Sequence, residues 1–145
     1  MKWKPRIVLF QCQYCLASDY DQQWVETQLP NHIKLIKTPC IGRISPLFIL
    51  NTIQGGADGA MVSGCMPEKC HYKTGNLGAR RQLEEFRNFL VYLGLEAERI
   101  RFVWMEINER GKIQRELSDF ERELTKLGPT NKFSARTEAK QGAIL

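Results

Sequence analysis

Hydrophobic positions along the chain follow two periods, and the switches between them mark the elements. Arg6 to Gln11 (R-I-V-L-F-Q) is a continuous β-branched and aromatic run, the pattern of a strand buried on both faces. Ser18-Asp19-Tyr20-Asp21 then reads as a capping box opening a helix, with Tyr20, Trp24 and Val25 on its apolar face and Pro30-Asn31 at its end. Ile33 to Lys37 predicts a second strand, stopped by Thr38-Pro39. Ser45 is placed to N-cap a helix whose first residue is Pro46. That helix, Leu47 to Ile53, is apolar on most sides and is expected to be central. Gly55-Gly56 ends it, and Gly59 to Ser63 predicts a third strand with Gly64-Cys65 at its end. A loop from Met66 to Asn76 follows. From about Leu77 to Leu93 the apolar residues Leu83, Phe86, Leu90 and Leu93 recur at helical spacing, with Gly94 as the stop. Ile100 to Ile107 predicts a fourth strand. The last helix, Lys112 to Leu127, has Ile113, Leu117, Phe120, Leu124 and Leu127 on one stripe and is closed by Gly128-Pro129.

Strand and helix thus alternate through short connections, the signature of an α/β fold. Right-handed crossovers predict a four-stranded parallel sheet, helices on both faces, in the flavodoxin-like order 2-1-3-4. Residues 1–128 are expected to form a single domain, and residues 129–145, with Lys132, Arg136 and Lys140, a basic and poorly ordered tail. A chain of 145 residues can bury its own core without disulfides.

Composition adds exclusions. Hydrophobic residues make up 43% and charged residues 26%, ordinary values for a globular chain. The longest apolar runs, Ile7 to Phe10 and Leu47 to Leu50, are far shorter than a membrane span. The run after Arg6 is also too short for a signal peptide's apolar region, so a soluble, cytoplasmic protein without a membrane partner is expected. The net charge of +5 is spread along the chain, with no arginine-rich run, zinc-finger spacing or aromatic RNA-binding motif. No nucleic-acid partner is expected.

The cysteines change the picture. They stand at 12, 15, 40, 65 and 70, an odd count confined to the first half. Clustered cysteines in a chain without an export signal point to metal binding or redox chemistry rather than a disulfide framework. Cys12, Cys40 and Cys65 each fall at or just past the C-terminal end of a different predicted strand. In a parallel sheet those ends share one edge, so thiols far apart in sequence can converge, with Cys15 and Cys70 on the same loops. Four thiolates are what an iron–sulfur cluster or a closed zinc site requires, and spacing alone does not separate the two. Gly42, Gly64 and Gly75 would let backbone approach a cluster. Arg43, Lys69 and Lys73 would either offset thiolate charge or form an ordinary solvated rim. Two other readings stay open on spacing: a thiol–disulfide oxidoreductase using Cys12 and Cys15, and a zinc half-site at Cys65-x₄-Cys70-His71. Gly55 to Gly59 resembles a phosphate loop but runs from helix to strand, on the wrong edge of the sheet, and is read as a turn.

Taken together, Phe10-Gln11-Cys12-Gln13-Tyr14-Cys15, Cys40-Ile41-Gly42-Arg43-Ile44, Gly55 to Gly59, Gly64-Cys65-Met66-Pro67-Glu68-Lys69-Cys70-His71-Tyr72, Gly75-Asn76 and Arg80-Arg81 resemble the delta (iron–sulfur) subunit of methyl-viologen-reducing hydrogenase. The resemblance runs from about Arg6 to Leu127. It implies a [2Fe–2S] cluster and a non-catalytic electron-transfer subunit. The implied relay runs from a hydrogenase or formate dehydrogenase to the flavin-containing subunit of heterodisulfide reductase. Such a cluster takes four ligands: Cys12, Cys40 and Cys65 at strand ends, and either Cys15 or Cys70.

Overall fold

The computed structural model describes residues 2–12, 19–65, 74–105 and 111–130, without the side chains of residues 19, 20 and 65. The elements are β1 (Ile7–Cys12), α1 (Asp19–Thr27), β2 (Ile33–Thr38), α2 (Pro46–Gln54), β3 (Gly59–Cys65), α3 (Gly75–Tyr92), β4 (Ile100–Met105) and α4 (Lys112–Leu127). Short 3₁₀ turns at Ile41–Arg43 and Ala97–Arg99 lie ahead of α2 and β4. The strands form one parallel sheet in the order β2-β1-β3-β4, as the alternation predicts.

β1 is central and every one of its residues is buried, which is why its sequence is a continuous apolar run rather than an alternating one. Leu9 is level with Leu35 of β2 on one side and Met61 of β3 on the other. Helices α2 and α3 pack together against one face, while α1 and α4 pack together on the other. The stripe of α4 that faces the sheet is Ile113, Leu117, Phe120 and Leu124, all buried. Each such side chain contributes about 1.5–3 kcal/mol when removed from water.

Local signals explain the ends. Ser45 Oγ accepts the Leu47 N–H at 3.2 Å with Pro46 at the first helical position, as the sequence predicts for α2. Gly94 stops α3 with φ of 111°, a left-handed conformation that favours glycine. The Gly55–Gly59 segment is a turn at the amino edge, as expected.

At that edge Asp58 and Arg99, both fully buried, close the sheet. Asp58 Oδ2 accepts the Arg6 N–H at 2.8 Å, and Oδ1 accepts the Thr130 N–H at 3.1 Å. Arg99 donates to the carbonyls of Asp58 at 3.0 Å and Gly128 at 2.9 Å, and pairs with Glu96 at 2.8 Å. Chain segments from four parts of the sequence are thereby held by charge-assisted bonds.

Some expectations are corrected. α3 begins at Gly75, so Gly75 and Asn76 belong to the helix rather than to the loop. Leu93 is exposed, because the helix ends just before it and the residue lies past the buried stripe. α2 is buried on one side only, since the sheet and α3 cover Ile49, Thr52 and Ile53 but leave Leu47 and Phe48 in solvent. The predicted capping residue Ser18 and the end of the fourth strand, residues 106 and 107, lie outside the described residues, as does the tail from residue 131.

Candidate functional site

A parallel sheet points every strand's last residue to one edge, and here three cysteine positions lie at or just past such ends. Cys12 ends β1, level with Thr38 of β2. Cys40 follows β2 by two residues and opens the Ile41–Arg43 turn. Cys65 ends β3, level with Met105 of β4. Cys15 and Cys70 lie outside the described residues, and so do Lys69, His71 and Lys73.

Both described thiols are buried, Cys12 at 2% exposure and Cys40 at 5%. Cys12 Sγ lies 3.8 Å from the carbonyl oxygen of Pro39, the residue immediately before Cys40, which ties the end of β1 to the loop after β2. Cys40 Sγ accepts the backbone N–H of Gly42 at 3.3 Å. An N–H aimed at sulfur favours a negatively charged thiolate and, in a metal centre, raises the potential. Burial of Cys12 gives no support to a dithiol oxidoreductase, whose attacking thiol must be reachable.

Two glycines set the position of the Cys40 turn, by a route different from the one their sequence positions predict. They make room for neighbouring protein rather than for a bound group. A Cβ on Gly42 would lie 3.0 Å from the carbonyl oxygen and 3.2 Å from the Cα of Gly75, so the turn rests directly on the first residue of α3. A Cβ on Gly64 would lie 2.1 Å from Ile41 Cδ1, so the buried Ile41 is seated against bare β3 backbone.

Polar residues beneath the edge escape a reading from sequence. Gln11 and Ser63 are paired in register and buried, and Gln11 donates to the Cys12 carbonyl at 3.2 Å. Among the described residues, Gln11 Oε1, Ser63 Oγ and Thr38 Oγ1 are buried without a hydrogen-bond partner. Gln11 and Ser63 fall inside the predicted strands and Thr38 at the stop of the second, but nothing in the sequence marks their polar atoms as buried. Asp21, expected in a capping box, has another task. Its carboxylate accepts the Gly111 N–H at 2.7 Å and fixes the start of α4 beside the first turn of α1.

The donor chemistry suits a soft metal, since thiols favour iron–sulfur and zinc sites. The two described thiols approach one rim, and one already carries an N–H bond of the right kind. Among the described residues, however, no group of three or more Cys, His, Asp or Glu side chains could hold a metal ion.

Away from this edge, a cleft of about 280 Å³ opens along β4. Its arginines 80, 87 and 101 are balanced by glutamates 84, 98 and 123, so it offers no net charge to an ion. Arg80 stacks over Phe102 at 5.4 Å and Trp104 at 5.5 Å, which makes Trp104 a packing residue.

An α/β domain that brings cysteines to one strand edge is a class with known members. Residues 7–128 match the family described as methyl-viologen-reducing hydrogenase, delta subunit, and the chain belongs to that family. It is 36% identical over 129 residues to an iron-sulfur subunit of the F420-non-reducing hydrogenase of Archaeoglobus profundus, covering 88% of this chain and 94% of that one. It is 37% identical over 128 residues to the vhc iron-sulfur subunit of the F420-non-reducing hydrogenase of Methanococcus voltae, covering 88% and 89%. It is also 32% identical over 126 residues to a subunit of the ferredoxin:CoB-CoM heterodisulfide reductase of Methanosarcina mazei, where the match covers 86% of this chain but 16% of that protein.

These findings correct the expectation of a [2Fe–2S] cluster. The relatives' names say iron-sulfur without a cluster type, and the described residues do not assemble even three of the four donors that such a cluster takes.

Proposed function

We propose that the chain is a non-catalytic electron-transfer subunit of an oxidoreductase complex, with an iron–sulfur centre held by cysteine thiolates at the carboxyl edge of its sheet. The observation that carries the reading is the approach of Cys12 and Cys40, buried on neighbouring strand ends, to the edge where β3 also ends in Cys65. Cys12, Cys40 and Cys65 are the proposed ligands, completed by Cys15 or Cys70. When bound, such a centre supplies one-electron chemistry, and the protein sets its potential through ligands, burial and hydrogen bonds. The Gly42 N–H on Cys40 is one such bond.

The relatives' names support the setting, since they belong to components of hydrogenase and heterodisulfide reductase. The proposed donor is a hydrogenase or formate dehydrogenase, and the proposed acceptor a flavin-bearing subunit of heterodisulfide-reductase type, in the cytoplasm. The proposed organisation is a domain of residues 1–128 and a basic tail of residues 129–145, with Thr130 held at the amino edge by Asp58.

Iron and acid-labile sulfide counted on anaerobically prepared chain, with EPR of the reduced protein, test the reading. Stoichiometric iron and sulfide that fall on Cys12→Ser or Cys40→Ser are expected. A folded, colourless chain carrying zinc and no iron refutes it.

A further inference from the structure

The thiol edge is flanked by an apolar surface that the fold leaves uncovered. α2, Pro46 to Gln54, contains no charged residue. Its inner stripe is buried, and its outer stripe, Leu47, Phe48, Asn51 and Gln54, faces solvent, with Leu47 62% and Phe48 52% exposed. A helix that meets only water carries charge on its outer face, whereas this outer stripe pairs the apolar Leu47 and Phe48 with the uncharged Asn51 and Gln54. Within the chain α2 is covered on one side. α2 and α3 each precede a parallel strand, so both begin at the carboxyl edge, where exposed Leu77 stands in the first turn of α3. The contact of Gly42 with Gly75 locks this region to the turn that carries Cys40.

Among the described residues, the charges nearest in sequence to these apolar residues have one sign. Arg43 lies in the turn, and Arg80 and Arg81 in α3, whose first acidic residue is Glu84. Arg80 is paired with Glu84 at 2.9 Å, while Arg43 and Arg81 are exposed and form no ion pair among the described residues.

We propose that this face, formed by Leu47 and Phe48 of α2 with Leu77, Arg43 and Arg81, docks the redox partner, whose contact surface has an apolar centre ringed by carboxylates. The proposal rests on the electron-transfer reading and deepens it by giving the partner's chemistry and the side on which it sits. Charge argues against a second copy of the chain, because a twofold contact would set arginines against arginines. The apolar residues give the contact its core, and the exposed arginines steer and orient the partner.

Purified heterodisulfide reductase and hydrogenase from the host organism serve as probes, titrated with the full, anaerobically prepared chain. Phe48→Ser and Leu47→Ser are each expected to weaken binding by about tenfold or more, as at a buried interface centre. Arg43→Glu with Arg81→Glu is expected to slow association and flatten its salt dependence. Phe89→Ser, on the exposed far end of α3, is expected to leave binding unchanged. Unfolding midpoints equal to wild type establish that the exposed substitutions leave the fold intact. Wild-type binding that survives every α2 and arginine variant overturns the docking proposal and leaves the functional reading standing. Failure of wild type to bind either probe overturns the functional reading and the docking proposal with it. A chain that sediments as a dimer, and becomes a monomer on Phe48→Ser, overturns the proposal in favour of self-association.

Discussion

Gly64→Ala should disturb the thiol edge from beneath, and Ile41→Val should repair it. Gly64 is buried one residue before Cys65, and an alanine methyl there would fall 2.1 Å from Ile41 Cδ1. The next contacts, Ile41 Cγ1 at 3.2 Å and Phe102 Cζ at 3.3 Å, are tight but need shifts of only a few tenths of an ångström. Ile41 is 1% exposed, so its terminal methyl must turn within the core or the turn carrying Cys40 must shift to admit the alanine. Overpacking of this kind costs about 1–3 kcal/mol. Ile41→Val removes the colliding Cδ1 and alone costs about 0.5–1.5 kcal/mol. In the double variant the alanine methyl fills the space vacated by Cδ1. Its loss should therefore fall short of the sum of the single losses by about 1–2 kcal/mol, a coupling expected only of residues in contact. Urea unfolding under anaerobic reducing conditions reads this directly, since a slope of about 1–3 kcal/mol per molar converts the losses into resolvable midpoint shifts. Iron retention should fall in Gly64→Ala and recover in the double variant. Single losses that simply add, within about 0.5 kcal/mol, would refute the seating of Ile41 on Gly64.

At the opposite edge, Asp58→Ala strands the N–H groups of Arg6 and Thr130. It should cost about 2–4 kcal/mol and lower the melting temperature by roughly 6–15 °C, and calorimetry showing no shift would refute the clamp. Glu26 accepts a hydrogen bond from Lys37 at 2.7 Å, and that bond, with the ammonium charge, holds its carboxyl below the ordinary value of 4.5. A lowered folded value means the pair stabilises above the unfolded pKa and that its contribution is lost as pH falls through the folded one. Lys37→Gln should return the Glu26 titration, followed by NMR, toward 4.5, and an unchanged titration would show that the pair does not form in solution. Arg80→Ala should remove the cation held over Phe102 and Trp104, costing about 0.5–1 kcal/mol, and shift the Trp104 indole resonance. An unmoved resonance would place Arg80 elsewhere.

The sheet is legible in the sequence because each of its signals is local. The apolar run of β1, the Ser45-Pro46 start of α2 and the glycines at helix ends need no knowledge of the rest of the chain. Sequence misleads where a distant contact overrides a local preference. Glycine and asparagine are poor helix formers, yet Gly75 and Asn76 join α3, where Gly42 packs on Gly75. The period of α3 is correct, but a period does not say where the sheet beneath stops, so it assigns Leu93 to a face that has already ended. α2 has the composition of a fully covered, central helix, while the fold covers half of it. At the candidate site, parallel topology brings the strand-end positions of Cys12, Cys40 and Cys65 to one edge. The collision that makes Gly64 necessary is not legible, since Ile41 is distant in sequence and only the crossover brings it near.

The two edges of the sheet differ in how completely their polar groups are satisfied, and this difference argues for a division of labour. At the amino edge the Asp58 carboxylate and the Arg99 guanidinium each bond to several groups. One buried atom at this edge, His32 Nε2, lacks a hydrogen-bond partner among the described residues, though a Glu121 carboxylate oxygen lies 3.1 Å away. At the carboxyl edge three atoms, Gln11 Oε1, Thr38 Oγ1 and Ser63 Oγ, have no hydrogen-bond partner among the described residues, near the ends of three adjacent strands. Each such atom costs on the order of 1–3 kcal/mol, which a purely structural edge would avoid by using alanine or valine. Burial at the central strand and the clamp at the amino edge together offset that cost. A chain built this way keeps its polar deficit beside its thiols, where a bound group or a partner can relieve it.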